Sequence, residues 1–450
     1  MNKKAQIFSV PAKGNSMYPI LQSGDRVEYI QTPFSNIRLN DIVIVYSNKI
    51  FVTHRVIYKT STTCITRGDN NRASDGEIKK ERILGKVVRF KRNGVWHDIQ
   101  EVYRIQSALY LHEIQKLETV LRLHKVPHVF LKGVLISLRY EGTIPKRIYA
   151  DCDILVKRYD QKNIEKVFKM LGYQLQERAL WQPQRLPSRQ TIKPEVSFVK
   201  IVSGVPVVFD VHFEPVFLMT QLGGMNMLYP STLLTLLGDN IINRGERKKI
   251  RGFSYSLCSP PDQILYLALH IFHHNFTDSM RYQLLDSVIR KSALLLRSAS
   301  GRSSNLKKGL PPFGSAQGKL SRYDIWEELV DMIKVYRLEG YVYGVFILLK
   351  KYFKTPIPPS FFRSICPSRF ALHVLRFAIQ RIDIFSQDSR AKAGITRFIL
   401  IFLLSPNPLV RKFLIFIHKD TLVMGIRLMW GYFSTIFSLK NNTKSHNYTP

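Results

Sequence analysis

The chain has 450 residues, with 67 Lys and Arg against 33 Asp and Glu (net charge +34) and a hydrophobic fraction of 45%. This excludes a disordered composition and leaves enough apolar residues for substantial cores, over a length that suits about three domains. The charge favours anionic partners such as nucleotides, nucleic acid or an acidic membrane surface. A solvated basic surface explains it equally well, because the basic residues are spread along the chain. Cys64, Cys152, Cys258 and Cys366 have neither metal-ligand spacing nor a disulfide framework, which suits a reducing compartment. No long apolar run precedes Gly14, so neither a secretory signal nor an N-terminal anchor is expected.

The first predicted elements are short strands at Asp25–Ile30 and Asp41–Tyr46, a turn at Gly68–Asn71 and a closing strand at Ile83–Phe90. Residues 1–98 therefore read as a β-rich domain. Two segments in it carry chemistry: Gly14-Asn15-Ser16-Met17-Tyr18-Pro19 and Val52-Thr53-His54-Arg55-Val56. A serine hydroxyl is a poor nucleophile until a neighbouring base takes its proton, and a neutral imidazole does this at ordinary pH. Ser16 and His54 are the candidate nucleophile and base.

These segments, with Ser23-Gly24-Asp25-Arg26-Val27, Asn40-Asp41-Ile42-Val43-Ile44-Val45, Thr66-Arg67-Gly68-Asp69-Asn70-Asn71 and Ala73-Ser74-Asp75, resemble the ordered boxes of the signal peptidase I superfamily. The likeness is to its archaeal and endoplasmic-reticulum type, in which histidine stands where eubacterial relatives carry lysine. The resemblance implies Ser16 as nucleophile, His54 as base, Asp69 or Asp75 supporting the site, and a peptide of unknown identity as substrate. The expected absence of an N-terminal anchor departs from the family. A retained fold without peptidase activity is the competing reading.

Near residue 100 the pattern changes. Ile105, Leu109, Leu111, Ile114, Leu117 and Leu121 predict a helix over Glu101–His124, and short apolar runs then alternate with helical stretches to about 220, an α/β pattern. Within it Ala150-Asp151-Cys152-Asp153-Ile154-Leu155-Val156 places two carboxylates on one face of a strand, with Cys152 turned to the other. Val207-Val208-Phe209-Asp210-Val211-His212 brings a third acid from a second apolar run. Three convergent carboxylates suit hard divalent cations, and Mg²⁺ held on carboxylates and substrate phosphates is a common way to handle nucleotides. Lys132-Gly133 suits a loop-to-helix junction near phosphate, with Arg147 as an anion partner. His212 reads more readily as a structural histidine than as a ligand, and His270, His273 and His274 as a helix face packed over the cleft.

The stretch of about residues 105–365 is similar to the uncharacterised nucleotidyltransferase family of the DNA polymerase β-like superfamily. The likeness rests on Phe130-Leu131-Lys132-Gly133-Val134, Arg147, Asp151–Val156, Leu171-Gly172-Tyr173, Val208–Phe213, His270–His274, Leu285-Asp286 and Lys351–Pro356. It implies two Mg²⁺ ions on Asp151, Asp153 and Asp210, with Asp210 also available as base. It also implies a nucleoside triphosphate as substrate and an acceptor hydroxyl of unknown identity. Gly133-Val134 replaces the superfamily's Gly-Ser or Gly-Gly step, so phosphate binding falls to groups such as Lys132 and Arg147.

The expected architecture is multidomain. A signal-peptidase-like β-rich domain (1–98) precedes an α/β nucleotidyltransferase core (99–225), a helical region (226–297), a flexible insertion (298–322) and a helical C-terminal region (323–450). The two catalytic modules are expected to be structurally independent and cytoplasmic. Leu422–Leu439 carries only Arg427 and is a candidate for contact with an acidic membrane surface, though a buried helix fits it as well. The rival from another class is an inactive nucleic-acid or membrane-surface binding protein built on these folds.

Overall fold

The computed structural model describes residues 6–47, 50–176, 195–215, 228–300, 324–387, 399–407 and 410. Residues 301–322 of the expected insertion, and the candidate membrane segment Leu422–Leu439, lie outside the described residues.

The N-terminal part is a β domain. Its strands are β1 (Ile7–Pro11), β2 (Arg26–Ile30), β3 (Ile42–Ser47), β4 (Ile50–Lys59), β5 (Thr63–Arg67), β6 (Glu77–Lys79), β7 (Ile83–Arg92) and β8 (Val95–Asp98). They form one sheet among the described residues, in the order β1-β2-β7-β3-β4-β5-β6, with β8 paired to β7. Ladder shifts at Glu28/Tyr29 and Ile44/Val45 bend β7's two neighbours around it. Gly85 is obligatory at this crossing, because a Cβ there would collide with the Ile30 carbonyl. The sheet closes over two small cores, one around Val27, Ile44, Val87 and Phe90, the other around Val43, Val45, Val56 and Cys64.

α1 (Ile99–Leu123) follows at once, and its first turn is capped by Asp98, whose carboxylate accepts from the Gln100 and Glu101 amides. Its 25 residues span about 37 Å at the usual helical rise. The first turns bury Ile99 and Tyr103 in the β-domain core, and the later ones bury Tyr110, Ile114, Leu117 and Leu121 in the next. One helix therefore belongs to both cores.

The second sheet is built from β9 (His128–Phe130), β10 (Cys152–Val156), β11 (Gln174–Gln176), β12 (Glu195–Val202), β13 (Val205–His212), β14 (Glu246–Ile250) and β15 (Phe253–Leu257). The order is β11-β12-β13-β10-β9-β15-β14. β10 is buried along its whole length and runs parallel to β13. α2 (Val134–Tyr140), α3 (Gln161–Met170) and α4 (Ser231–Asn243) pack with this sheet. α5 (Pro260–His273), α6 (Ser279–Ser300), α7 (Asp324–Val335), α8 (Glu339–Phe353), α9 (Pro359–Ser364) and α10 (Arg369–Arg381) carry the same core onward. α5 starts on the Ser259 cap with proline in its first turn.

Two expectations are corrected here. The region 226–297 is not purely helical, because β14 and β15 form a hairpin that joins the sheet through β9. Glu246-Arg247-Lys248-Lys249 shows no apolar alternation because β14 is an edge strand whose charged side chains face water. Nor are the two modules independent. The Arg55 guanidinium, 1% exposed, grips Asp69 through both carboxylate oxygens (2.6 and 2.5 Å) and also donates to Tyr103 Oη (2.9 Å) and the Lys146 carbonyl (2.7 Å). Arg67 pairs with Asp278 (3.0 Å), Lys146 donates to Asp41 (2.8 Å), and Gln283 donates to the Ile57 carbonyl (2.8 Å). No helix among the described residues is long and apolar enough to cross a membrane.

Replacing Arg55 by Met strands Asp69 and three acceptors, the Asn40 and Lys146 carbonyls and Tyr103 Oη. Removing one partner of a buried ion pair costs about 3–5 kcal/mol. Chemical denaturation followed by tryptophan fluorescence should show the midpoint for the whole chain falling, not that of the β domain alone.

Candidate functional site

The parallel register sets Asp153 of β10 directly beside Asp210 of β13, so the pleat turns both carboxylates to the same face. Asp151, one residue ahead of β10, joins them. One oxygen from each of Asp151, Asp153 and Asp210 lies within 4.8 Å of the others, the spacing of a cation-holding cluster. Cys152 points away into the core, 1% exposed. Asp153 and Asp210 are themselves buried at 2% and 4% exposure, so each needs compensation.

The compensation comes from three side chains, Lys132, His212 and Ser197. Lys132, on the loop between β9 and α2, places Nζ 3.0 Å from Asp153 and 3.4 Å from Asp151. Burial opposes its charge, but the two aspartates outweigh burial and hold the ammonium above its usual range. His212 Nε2 lies 2.7 Å from Asp153 Oδ1. Its other ring nitrogen faces Glu195 at 3.6 Å. Burial works against charge on Asp153, yet Lys132 and His212 together hold its carboxyl below the ordinary range. Ser197 of β12 donates to Asp210 at 2.6 Å. Burial, then repulsion from Asp153, nevertheless pushes Asp210 up to about 6. Gly133 turns the chain at φ +98°, a conformation that favours glycine, and passes within ordinary contact distance of Asp151 and Cys152.

α5 is tied to the loop that carries Lys132, its Gln263 side-chain amide donating to the Leu131 carbonyl at 2.8 Å. Tyr266 and His270 stack with ring centroids 6.0 Å apart, and His270 and His274 meet edge to face at 4.7 Å. Burial, then the charges of Lys132 and Arg281, drives the His270 imidazole well below its ordinary pKa, and burial with Arg281 does the same to His274, so both rings are neutral. Arg281 is anchored on Asp278 at 2.8 Å and faces Asp151 electrostatically. Arg147, expected as an anion partner, lies over the Tyr149 ring, 5.0 Å from its centroid.

A second constellation sits in the β domain. His54 Nε2 is 3.0 Å from Ser16 Oγ, and Nδ1 is 2.6 Å from Asp75 Oδ2. Thr66 donates to the same Asp75 oxygen at 2.5 Å. Asp69, the other acid offered by the sequence, instead holds Arg55 on the far side of β4. Gly68 makes the approach of Ser16 and His54 possible: a Cβ there would sit 2.6 Å from the Ser16 carbonyl oxygen and 2.9 Å from His54 Nε2. The Asn70 amide donates to that carbonyl at 2.8 Å.

Sequence reasoning missed Thr66, Ser197 and Arg281. Thr66 lies in an ordered box but carried no role there, and Ser197 belongs to no motif; both act through strand pairing. Arg281 follows a turn between α5 and α6 in which Asn275, Phe276 and Asp278 all have positive φ.

The comparisons with known proteins follow this geometry. Residues 92–289, which contain all three clustered aspartates, match the family model described as an uncharacterised nucleotidyltransferase. These residues form a nucleotidyltransferase domain. A search of curated proteins gives no match. Among solved structures, the solution structure of the antibiotic-resistance factor ANT(2'')-Ia is 13% identical, covering 42% of this chain and 91% of that chain with a TM-score of 0.22. At that score the likeness bears on neither fold nor substrate.

The raised Asp210 in the nucleotidyltransferase domain has a consequence for stability. Below about pH 4 the carboxyl is protonated in both folded and unfolded chains. Between about 4 and about 6 the folded state keeps a proton that the unfolded chain has released, so stability falls as pH rises through this window and stays lower above it. In metal-free buffer Asp210→Asn should therefore raise the melting midpoint at pH 8 and have little effect at pH 4. Equal midpoints for the two proteins at both pH values would contradict this assignment.

Proposed function

We propose that the nucleotidyltransferase domain transfers a nucleoside monophosphate from a nucleoside triphosphate to an acceptor hydroxyl, using Mg²⁺ held by Asp151, Asp153 and Asp210. The observation that carries this reading is the convergence of three carboxylates, two of them buried, within 4.8 Å. The donor set fits a hard divalent cation. All ligands are carboxylate oxygens, and burial together with repulsion from Asp153 raises Asp210, a penalty on its charge that a bound cation offsets. When bound, such ions supply Lewis-acid activation of the attacking hydroxyl and neutralise charge on the departing pyrophosphate. His212 fixes the orientation of Asp153, and Ser197 that of Asp210. Lys132 contributes positive charge beside the phosphates, and Gly133 lets the backbone approach them. Asp210, whose carboxyl is raised by burial and by repulsion from Asp153, is the candidate to accept the acceptor's proton.

The β domain supports a second activity, that of a Ser–His–Asp hydrolase of the signal peptidase type acting on a peptide. Its support is the chain of contacts Ser16–His54–Asp75–Thr66. In this reading His54 Nε2 takes the Ser16 proton as Oγ attacks the peptide carbonyl. The same proton goes to the departing amine as the C–N bond breaks, leaving an acyl-serine that water hydrolyses. Asp75 keeps the imidazole in the tautomer that accepts at Nε2, and Thr66 keeps Asp75 in place.

Two experiments test these readings. Pyrophosphate release from each triphosphate, with Mg²⁺ and the small-molecule fraction of a cell extract as acceptor source, should be seen for the wild type. Asp153→Asn should lose it by at least about 100-fold, in line with the loss of a group on which the charge stabilisation of the transition state depends, with an unchanged circular dichroism spectrum. A serine-directed acylating probe should label the wild type and not Ser16→Ala. Equal labelling of the two would remove Ser16 as nucleophile.

A further inference from the structure

α10 packs on the rest of the protein by one narrow face. Its buried residues are Ala371 and Leu375. Leu375 and Ile379 close on Gly344 of α8, where a Cβ would meet their side chains at 3.3 and 3.2 Å. At the helical period of about 3.6 residues, Phe370 and Phe377 fall on the opposite side, two turns and about 10 Å apart. Both rings are more than half in water, at 51% and 56% exposure. His373 and Gln380 continue this outward face, with Arg381 on one flank of it and Arg369 and Arg376 on the other, all of them exposed. The Arg381 guanidinium lies 3.6 Å from the centroid of the Phe377 ring. One exposed phenylalanine needs no explanation, but two aligned on one helix face between arginines mark a place of contact.

Charge decides what kind of contact. α10 holds no acid. From residue 340 to residue 450 the sequence has three acids, Asp383, Asp388 and Asp420, against sixteen Lys and Arg, so a partner of this region is anionic. Apolar rings set among arginines match the boundary of a bilayer: the rings enter the acyl layer while the guanidinium groups reach headgroup phosphates. Nucleic acid fits less well, because a base stacks on a ring face and Arg381 already covers one face of Phe377. The 13 residues of α10 are too short to span a bilayer, so the contact is peripheral.

We infer that the outward face of α10 docks on an anionic lipid bilayer, with Phe370 and Phe377 inserted at the interface and Arg369, Arg376 and Arg381 on the headgroup phosphates. This goes beyond both catalytic readings and depends on neither.

Flotation of the whole chain with lipid vesicles tests it. The protein should float with vesicles of phosphatidylcholine mixed with phosphatidylserine, stay behind with phosphatidylcholine alone, and be released by high salt. The Phe370→Ser/Phe377→Ser variant keeps every charge. It should float about tenfold less, because interfacial binding scales with the apolar area inserted, at an unchanged melting midpoint. If that variant melts lower, the decision passes to Arg369→Gln/Arg376→Gln/Arg381→Gln, which should lose flotation by a similar factor. Wild-type flotation by whichever variant decides means that the basic chain binds lipid elsewhere and overturns the inference. Equal flotation on both kinds of vesicle also overturns it, as does a wild type that never floats. In that last case, a single-stranded oligonucleotide bound by the wild type and not by the phenylalanine variant would reassign the face to nucleic acid, and a wild-type dimer that the variant cannot form would reassign it to a second copy of the chain.

Discussion

The Arg55–Asp69 pair is the constraint on which most of this structure depends. β4 alternates its side chains, so His54 and Arg55 point to opposite faces. One faces Ser16, and the other enters the boundary between the β domain and the transferase. Clamping Asp69 there fixes the turn that begins at Gly68, and Gly68 sets the separation of Ser16 and His54. The remaining donors of the same guanidinium hold Tyr103 of α1 and the Lys146 carbonyl. A single buried cation thereby ties the geometry of one site to the seating of the domain that carries the other. Burial alone would discourage its charge, but the Asp69 carboxylate and the Tyr103 hydroxyl outweigh that penalty and hold it firmly ionised.

The carboxylate cluster shows the opposite balance. Lys132 and His212 compensate Asp153, while Ser197 offers Asp210 only a neutral hydrogen bond. The site is left with an excess of negative charge in a buried place, which is a destabilising arrangement for the ion-free protein and an attractive one for a divalent cation. α5 brings neutral histidines rather than further charge. The electrostatics are thus divided: acids on the sheet, cations at the loop and at the start of α6, and neutral aromatic groups on α5.

Much of this was legible in the sequence, for definite reasons. Asp151, Asp153 and Asp210 stand out because period-two spacing in otherwise apolar runs leaves few places for a carboxylate to go, and β10 and β13 set Asp153 and Asp210 side by side. Ser16 and His54 stood out as parts of ordered boxes. The choice between Asp69 and Asp75 was not legible, because both follow the same strand and only the fold decides which one meets His54. Arg147 suggested a phosphate contact by proximity in sequence, whereas its guanidinium lies over Tyr149. The hairpin of β14 and β15 was hidden by the charges of an edge strand. The interface was hidden because Arg55, Arg67 and Lys146 look like ordinary surface residues until tertiary structure buries their partners.

Arg67 adjoins Thr66, whose hydroxyl holds Asp75, and Arg67 itself pairs with Asp278, the anchor of Arg281 beside the acid cluster. Two neighbouring residues on β5 thus belong to different sites. This limits how such a protein can evolve. A β domain taken from an unrelated chain would bring its own serine and histidine but would leave Asp278 with one arginine instead of two. Recombination at the boundary near residue 98 would succeed only between parents that share the Arg55 and Arg67 contacts, so the two halves are expected to have been inherited together rather than exchanged as cassettes.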